Sequence, residues 1–521
     1  SYLPLRSLWL LDQGWAVRAY AVDLLRAGDA VLPTAVLVGA AVLLRDGRAS
    51  GSRARRWHTG LPALLCLVGA MPAVAWAWIV APTDADHDTG GFLYAHVVDV
   101  RRLVGEWRTG GAPTAEELAR VARYLEEHPP PSPSTDPWFG QAEGSSLLMI
   151  QVEALNAWLL EAEVGGEPVV PVLRSLAERG LHFTQVFDQT HQGRSSDADY
   201  LVMASRHPLE REAVAMVRPT LDPVALPDIL RQRGYGTLSA HAHHRGFWNA
   251  GLRHPRYGFQ ESLFDVDLGP GERLGFGLVD RVFFQRVAPR VAALPRPWLA
   301  WLITLTMHAP YPEPPPSFRA LPLDTLEGTP LGNYFLRARH TDAALGGLLE
   351  SLEAAGALDH TTVVVYGDHT ESHPFEPRTL DDLAGVDAAA PGARPVLRNR
   401  VPLLVSLPGG GPGRRIDTVG GLVDLGPTLL HLLGIPVPHG FLGRPLTSGG
   451  PGFSPHASGE VVAEDRFWTG EGCYAFPEGT VRPPAACDGI RERAREELEV
   501  SWTLTRRTME VEGAATSGPG S

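Results

Sequence analysis

Residues 361–369, Thr-Thr-Val-Val-Val-Tyr-Gly-Asp-His, join a β-branched run to two residues that commonly bind metals. The run predicts a short buried strand, which Gly367 ends directly before Asp368 and His369. In an open α/β sheet, ligands and reacting groups gather just beyond the carboxyl ends of the strands. The pair therefore lies where the chemistry of such a fold is expected, although an Asp that caps a helix beside a surface His would give the same letters.

Four further apolar runs predict strands of the same sheet, and three of them lead to residues that can do chemistry. Helical segments between them, such as PTLLHLLG at 427–434, give an alternating pattern that predicts an α/β fold with a mainly parallel sheet. Taken singly, each His or Glu at a strand end also fits a structural role. The runs are SLLMIQV (146–152) before Glu153, GTLSA (236–240) before His241, WLAWLITLT (298–306) before His308, and RVPLLVSL (400–407) before a Gly/Pro loop.

The segment QTHQGRSSDADYLVMAS, residues 189–205, contains the candidate nucleophile. Gly193 permits a tight turn, Ser195 and Ser196 are expected to start a helix, and Asp199 is expected to complete a capping box with Ser196. One interpretation is that both serines only cap the helix. The other is that Ser195 faces a metal from the helix amino terminus, where the helix dipole and the cation both favour its alkoxide.

The strand ends and this serine together suggest one metal site for phosphoryl chemistry. Carboxylate, hydroxyl and imidazole ligands suit a single divalent ion such as Mn²⁺, Mg²⁺ or Zn²⁺. His241 and His308 could stabilise or protonate phosphoryl oxygens. The predicted metal ligands are Glu153, Ser195, Asp368 and His369.

The amino-terminal part predicts a membrane anchor. Residues 61–80 carry no charge over about the length that crosses a bilayer, and residues 30–44 form a shorter uncharged run that fits a second span or a buried helix. The arginine-rich loop between them is expected to stay in the cytoplasm, which places the chain after Val80 outside. Because the chain begins with Ser1, further spans are expected before it.

These features predict four regions. Residues 1–82 form a multi-pass anchor in the cytoplasmic membrane, and residues 83–143 form a juxtamembrane helical linker with a capping box at Thr114 and Glu117. Residues 144–510 form the extracytoplasmic catalytic domain. Residues 511–521 are expected to be a disordered tail.

Composition excludes some functions. The net charge of −13 argues against a nucleic-acid partner, and all 46 basic residues are Arg, which excludes lysine-dependent catalysis. Cys473 and Cys487 flank a Pro/Gly-rich loop, where they are either a disulfide of an oxidising compartment or two unrelated thiols.

Six segments, in this order, resemble the lipoteichoic acid synthase and phosphoglycerol transferase branch of the alkaline phosphatase and sulfatase superfamily. The resemblance covers roughly residues 83–505 and includes the order of membrane helices, linker and outer domain. The segments are IQVEALNAWL around Glu153, QTHQGRSSDADY around Ser195, HAHHRGFWN at 241–249, ITLTMHAPY around His308, YGDHTE at 366–371 and VDLGPTLLHLLGIP from 423.

The resemblance implies an alkaline phosphatase-like three-layer sandwich preceded by transmembrane helices. It implies that Glu153, Ser195, Asp368 and His369 bind one Mn²⁺-like ion. It further implies that phosphoglycerol moves from a lipid such as phosphatidylglycerol, through a Ser195-linked intermediate, to a hydroxyl on a glycolipid, polymer or glycan. The residues expected to contact the phosphoglycerol group are His241, Trp248 and His308.

Two alternatives stay open. On the same scaffold, water in place of the acceptor would give a phosphodiesterase or phosphonate hydrolase, and loss of catalysis would leave a membrane sensor. A sulfatase-like activity is disfavoured, because residues 195–199 lack the Cys/Ser-x-Pro-x-Arg pattern that is converted to formylglycine.

The chain also departs from the family in two places. Ser195 stands where these synthases usually have Thr, and Ala250 follows Phe-Trp-Asn where an Arg is usual. The second change removes a guanidinium that would grip phosphate, for which Arg245 or Arg253 could substitute.

Overall fold

The computed structural model describes residues 113–130, 136–371, 375–410 and 413–507. The two predicted membrane spans, the anchor of residues 1–82 and the tail of residues 511–521 lie outside these ranges. Among the residues described, none of the helices has the length and hydrophobicity needed to span a bilayer.

Helices in the described ranges alternate with strands along most of the chain. In chain order they are α1 Ala115–Glu127, α2 Pro171–Arg179, α3 Ser195–Ala204, α4 Val214–Val217, α5 Leu226–Arg231, α6 Ala250–Arg256, α7 Asp265–Leu268, α8 Asp280–Ala292, α9 Pro330–Ala354, α10 Pro377–Leu383, α11 Arg394–Arg398, α12 Leu425–Leu432 and α13 Asp488–Arg507.

The strands of the same ranges are mostly short. They are β1 Ser146–Val152, β2 Glu163–Val164, β3 Glu167–Pro168, β4 Leu181–Phe183, β5 Val186–Phe187, β6 Gly236–His241, β7 Glu261–Leu263, β8 Arg273–Leu274, β9 Gly277–Leu278, β10 Trp298–Ile303, β11 Thr361–Gly367, β12 Leu403–Ser406, β13 Arg414–Ile416, β14 Gly420–Gly421, β15 Phe453–Pro455, β16 Val461–Ala463, β17 Arg466–Trp468, β18 Cys473–Ala475 and β19 Val481–Arg482.

An eight-stranded sheet in the order β13-β4-β12-β11-β1-β10-β6-β7 forms the centre of the fold. Strands β11, β1, β10, β6 and β7 pair in parallel, which confirms the mainly parallel sheet. Strand β12, predicted at residues 400–407, is shorter and pairs antiparallel with both β11 and β4. The direction of β12 depends on the edge of the sheet at which the chain re-enters after β11. The apolar run of β12 does not determine that edge.

Side chains of the central strands face two separate cores, because successive residues of a strand point to opposite faces. On β1, Leu148 and Ile150 belong to one core, which α2, α8 and α9 cover. Leu147 and Met149 belong to the other, which α3, α5 and α12 cover. Helices thus cover both faces of the sheet, and the domain has three layers.

A smaller antiparallel sheet, β15 to β19, follows the main domain in sequence and packs against α13. Cys473 on β18 and Cys487 form a disulfide with a Cα–Cα distance of 5.8 Å, so the predicted pairing is confirmed. Helix α1 begins with the predicted Thr114 and Glu117 capping box. Its Tyr124 hydroxyl donates a hydrogen bond of 2.8 Å to Glu497 of α13.

Candidate active site

Glu153 and Asp368 are neighbours because of the register of two parallel strands. Val152 pairs with Gly367 at the ends of β1 and β11, so the next residue of each strand emerges at the same edge. The Asp368 carboxylate accepts a hydrogen bond of 2.8 Å from the Ala154 backbone N–H. The pair is buried and lies at the carboxyl end of the sheet.

His369 completes a compact set of three ligand atoms. Its Nδ1 lies 3.0 Å from the Thr370 carbonyl oxygen, a partner that leaves Nε2 to face the carboxylates. Nε2 is 3.3 Å from Glu153 Oε1 and 3.7 Å from Asp368 Oδ2. One ligand atom from each of the three residues lies within 4.8 Å of the others.

Ser195 reaches this set from the first position of α3. Its hydroxyl donates a hydrogen bond of 3.1 Å to Glu153 Oε2, and its Oγ lies 3.5 Å from His369 Nε2. The structure therefore brings together all four residues predicted as metal ligands, and their roles remain predictions.

The turn before Ser195 depends on Gly193 and Asp197. The Asp197 carboxylate accepts hydrogen bonds from the backbone N–H groups of His191 and Gly193, at 3.0 and 2.8 Å. A Cβ on Gly193 would lie only 2.2 Å from Asp197 Oδ1, so this close approach requires glycine. Asp197 thus holds the loop that presents Ser195.

The expected capping box of Ser196 and Asp199 is wrong. Ser196 lies inside the first turn and donates a hydrogen bond of 2.8 Å to the Gly193 carbonyl oxygen. Asp199 instead accepts a hydrogen bond of 3.1 Å from Gln151 on β1. Because the helix begins at Ser195, Asp197 satisfies the preceding amide groups in place of the predicted pair.

The three predicted substrate residues do not all line the cavity beside Ser195. A cavity of about 10 Å³ beside Ser195 is lined by His241, at the end of β6, and by Phe247, Trp248 and Ala250. His308 lies in the loop after β10, with its ring 4.8 Å from Phe276. The structure thus places two of the three predicted contacts at the cavity wall.

Arg245 and Arg253, which could replace the missing guanidinium after Asn249, both have other partners. Buried Arg253 lies 3.4 Å from Asp199 and donates hydrogen bonds to the Ser196 carbonyl oxygen and the Tyr257 hydroxyl. Arg245 is exposed and pairs with Asp267 at 3.1 Å. Arg253 therefore supports α3 through its contacts with Asp199 and Ser196.

Burial and mutual charge determine the protonation of the cluster. Burial alone would raise the pKa of Glu153, but the charges of His308 and His369 lower it to about 2. Burial raises the pKa of Asp368 to about 7, against the opposing charge of His369. Burial alone would lower the pKa of His369, but Asp368 and Glu153 raise it to about 9. Burial lowers the pKa of His241 to about 4, so its ring is neutral near pH 7.

The donor set fits a divalent cation. Asp368 Oδ2 is buried and has no hydrogen-bond partner within the described part of the chain, which is costly unless an ion or water meets it. Two carboxylates, an imidazole nitrogen and a hydroxyl are ligands that Mn²⁺, Mg²⁺ and Zn²⁺ accept. These residues form a candidate site for one such ion.

Asp188 supports the cluster and was missed in the sequence. Its carboxylate accepts hydrogen bonds from the Thr370 backbone N–H, at 2.9 Å, and from the Thr370 hydroxyl, at 3.1 Å. It thereby fixes the residue whose carbonyl oxygen lies against the His369 ring. The sequence contains one indication of this role, because Asp188 directly follows the apolar pair Val186–Phe187 as Glu153 follows β1. That pair forms β5, and a strand of only two residues is too short to predict from its pattern.

A family model for sulfatases matches residues 145–435. The chain belongs to the sulfatase family. The match contains Glu153, Ser195, Asp368 and His369, which together form the Ser195 cluster. The sulfatase-family chain is also 29% identical over 371 residues to the lipoteichoic acid synthase-like protein YvgJ of Bacillus subtilis, which covers 70% of this chain and 60% of that protein.

Two further relatives are also named lipoteichoic acid synthases. Lipoteichoic acid synthase 1 of B. subtilis is 30% identical over 329 residues, covering 62% of this chain and 50% of the relative. Lipoteichoic acid synthase of Staphylococcus aureus is 26% identical over 398 residues, covering 74% and 60%. The chain therefore spans between half and three fifths of the length of these relatives. The matches confirm the resemblance to the lipoteichoic acid synthase branch.

Solved structures confirm the alkaline phosphatase-like fold. Lipoteichoic acid synthase LtaP from Listeria monocytogenes aligns with a TM-score of 0.66 at 21% identity, covering 76% of this chain and 99% of that chain. An alkaline phosphatase superfamily protein from Vibrio parahaemolyticus aligns with a TM-score of 0.57 at 19% identity, covering 77% and 97%.

Proposed function

We propose that this chain is a membrane-anchored phosphotransferase that moves phosphoglycerol from a phosphatidylglycerol-like lipid to a hydroxyl acceptor. The observation that carries the proposal is the Ser195 hydroxyl, 3.1 Å from Glu153 and 3.5 Å from His369 at the start of α3. A serine in this position suits covalent catalysis at phosphorus. The names of the relatives, lipoteichoic acid synthases, suggest phosphoglycerol as the group that moves.

Glu153, Ser195, Asp368 and His369 would hold one divalent ion, and we propose Mn²⁺. When bound, the ion would supply positive charge that lowers the pKa of the Ser195 hydroxyl and offsets charge on the phosphoryl oxygens. Asp368 Oδ2, which is buried without a hydrogen-bond partner among the described residues, supports this assignment.

In the first step, Ser195 Oγ attacks the phosphorus of the lipid. A bond forms between Oγ and phosphorus, and the bond from phosphorus to the diacylglycerol oxygen breaks. The Ser195 proton passes to a base, and the leaving oxygen takes up a proton to give diacylglycerol. The product is a phosphodiester between glycerol and Ser195.

In the second step, an acceptor hydroxyl attacks the same phosphorus and gives up its proton to a base, and a bond forms between the acceptor oxygen and phosphorus. The bond between phosphorus and Ser195 Oγ breaks, and Oγ regains a proton. His241 is neutral near pH 7, because burial lowers its pKa to about 4, so it can donate a hydrogen bond to a phosphoryl oxygen. We propose that Trp248 and His308 also contact the phosphoglycerol group, and that His308 moves a proton. The acceptor is a glycolipid, a growing polymer or a glycan.

The proposed organisation places this chemistry outside the cytoplasm. Residues 1–82 form the membrane anchor, residues 83–143 the juxtamembrane linker, residues 144–510 the catalytic domain and residues 511–521 the tail. The disulfide between Cys473 and Cys487 supports an oxidising, extracytoplasmic compartment. A lipid donor then reaches the site from the membrane surface.

The test is product analysis with the full chain, Mn²⁺ and fluorescent phosphatidylglycerol, with and without a hydroxyl acceptor. We expect diacylglycerol together with phosphoglycerol attached to the acceptor, and we expect chelation of the metal to stop both. Release of free glycerol phosphate at the same rate with and without acceptor would assign the chain to the hydrolase alternative. Absence of diacylglycerol under all conditions would contradict both activities.

A further inference from the structure

A cavity of about 720 Å³ lies at the edge of the main sheet opposite the Ser195 cluster. Its walls include Leu181, where β4 begins, Arg414, where β13 begins, and Ser406, where β12 ends. Strands β4 and β13 run in the same direction as β1, whereas β12 runs against them, so all three positions mark the amino edge. The seven residues of β1 put about 20 Å between the two edges.

Trp138 forms one wall of this cavity and is held in place by its neighbours. The turn that contains it is bonded to the end of α12, through the Gly140 N–H to the His431 carbonyl oxygen at 3.0 Å and the Ala142 N–H to the Leu432 carbonyl oxygen at 2.7 Å. The guanidinium of Arg414 lies 5.4 Å from the centre of the Trp138 ring. The indole and the charge therefore share one face of the cavity.

The cavity also has a fixed positive charge. Arg179 ends α2, and the Arg414 backbone N–H donates a hydrogen bond of 2.9 Å to the carbonyl oxygen of the next residue, Gly180. Both arginine side chains line the cavity and are exposed, and neither has an acidic partner among the residues that the structure describes. The described lining contains no Asp or Glu, in a chain whose net charge is −13.

The shape and chemistry of the cavity select a class of ligand. Arg179 and Arg414 each offer a guanidinium group to this cavity, and a guanidinium can bind a phosphate through two N–H groups. The volume lies in the range of small-molecule sites and exceeds the needs of a single inorganic phosphate. Beside the arginines, Trp138 offers a large apolar face, and Ser406 and Gln141 offer neutral hydrogen-bonding groups.

We propose that this cavity binds the phosphate ester of a polyol, with the phosphate between Arg179 and Arg414 and the polyol against Trp138. Such an ester occurs both as a soluble molecule and as the head group of a phospholipid. The site does not depend on the reaction at Ser195, because it lies at the other edge of the sheet and requires no metal.

The test measures binding and not turnover, so its result is independent of the proposed transferase activity. Isothermal titration calorimetry on the full chain uses inorganic phosphate, sn-glycerol 1-phosphate and glycerol. Excess EDTA is present, so that any metal-dependent binding at the Ser195 cluster is removed. The variants are Arg179→Ala, Arg414→Ala, Trp138→Leu and, as the matched control, Arg415→Ala, an exposed arginine next in sequence that does not line the cavity.

We expect saturable binding of glycerol phosphate, weaker binding of inorganic phosphate and none of glycerol. Arg179→Ala and Arg414→Ala should each lower the affinity at least ten-fold, Arg415→Ala less than two-fold, and Trp138→Leu should reduce glycerol phosphate to the affinity of inorganic phosphate. Circular dichroism verifies folding, and Arg→Gln variants replace any alanine variant that misfolds. Absence of saturable binding, or full binding by the arginine variants, would overturn the site. Equal affinity of the two phosphates would overturn the polyol assignment.

Short-chain lipids distinguish the two sources of the ester, because they stay in solution and test head-group binding apart from the proposed membrane anchor. Calorimetric titration in EDTA with dihexanoyl phosphatidylglycerol, against dihexanoyl phosphatidylcholine, shows a lipid head group as the ligand if the first binds and the Arg179→Ala and Arg414→Ala chains bind it more weakly. Equal titrations with the two lipids in wild type and variants, together with arginine-dependent binding of soluble glycerol phosphate, assign the soluble ester.

Discussion

The two edges of the main sheet differ in the burial of their charged side chains. At the carboxyl edge, Glu153, Asp368 and His369 are buried against one another, and Glu153 also lines a cavity of about 10 Å³. At the amino edge, Arg179 and Arg414 are exposed on a cavity of about 720 Å³. Buried charges need partners inside the protein, whereas exposed charges contribute little to folding and remain available to a ligand.

This contrast predicts where substitutions act. Changes around the Ser195 cluster should affect the chemistry, and changes to the buried charges that support it should also affect folding. Changes in the amino-edge cavity should affect binding alone.

Ser195→Ala should lower turnover on the order of 10⁴-fold or more, because a methyl group cannot form the proposed phosphodiester with glycerol. The measurement is release of diacylglycerol from fluorescent phosphatidylglycerol, with transfer of labelled phosphoglycerol to the protein as a second readout. Ser196→Ala is the control, since among the described residues this hydroxyl bonds the Gly193 carbonyl oxygen alone, at 2.8 Å. Wild-type turnover in the Ser195→Ala chain would rule out the covalent mechanism.

Arg253→Ala should lower the free energy of unfolding by about 4 kcal/mol, because it leaves the buried Asp199 without its charged partner. The control is Arg245→Ala, whose exposed pair with Asp267 should contribute less than about 1 kcal/mol. Urea unfolding followed by circular dichroism gives both values. If Arg253 binds substrate phosphate instead, kcat/KM would fall in the Arg253→Ala chain while its unfolding midpoint stayed unchanged.

Much of the carboxyl edge could be predicted from sequence, because strand ends are local features and parallel strands present their carboxyl ends at one edge of the sheet. The run at 146–152 matches β1 residue for residue, and the parallel pairing of β1 with β11 then brings Glu153 beside Asp368. The predicted convergence of Ser195 followed from its expected position at the start of a helix.

Features that join distant segments were not predictable in this way. The direction of β12 and the pairing of Arg253 with Asp199 depend on how separated parts of the chain pack. The amino-edge cavity combines residues near 138, 179, 406 and 414, and none of these segments contains a motif. The Ser196 capping box failed for a related reason. Asp197 accepts hydrogen bonds from the loop before the helix, and the helix begins at Ser195, two residues before the start that a Ser196 cap implies.

A further buried charge, that of Glu497, contacts the segment that follows α3. Its carboxylate lies 2.9 Å from His207, three residues after the end of that helix, and 2.8 Å from the Tyr124 hydroxyl. Burial alone would raise the pKa of Glu497, but His207, Arg444 and Tyr124 lower it from 4.5 to about 2. The ionised group therefore stabilises the fold fully above pH 4.5, and this stabilisation is lost as the pH falls towards 2.

Glu497→Gln should accordingly cost about 3 kcal/mol of unfolding free energy at pH 7, and the difference from wild type should shrink between about pH 4.5 and pH 2. Unfolding midpoints at pH 7, 4 and 3 provide the measurement. Glu499→Gln is the control, because its pair with Arg120 is exposed. A difference that stays constant from pH 7 to pH 3 would contradict the lowered pKa.

Asp188→Asn should weaken Mn²⁺ binding by roughly 10- to 100-fold, the usual cost of losing a residue that orients a ligand. Asp188 accepts both hydrogen bonds from Thr370, whose carbonyl oxygen lies 3.0 Å from His369 Nδ1. Calorimetric titration with Mn²⁺ measures the change, and Asp382→Asn on the surface of α10 is the control. Unchanged Mn²⁺ affinity would show that Asp188 has no part in orienting His369.

Arg414→Ala should produce the smallest change in stability, less than about 1 kcal/mol, because its side chain is exposed and loses only the contact with Trp138 at 5.4 Å. Compared with Arg253→Ala in the same urea experiment, it tests the contrast between the two edges directly, since both variants remove one guanidinium. The same Arg414→Ala chain should retain phosphatidylglycerol turnover at Ser195 and lose at least ten-fold in affinity for glycerol phosphate in EDTA. A loss of stability as large as that of Arg253→Ala would show that the amino-edge arginine is structural, because a charge kept available for a ligand contributes little to the folded state before the ligand binds.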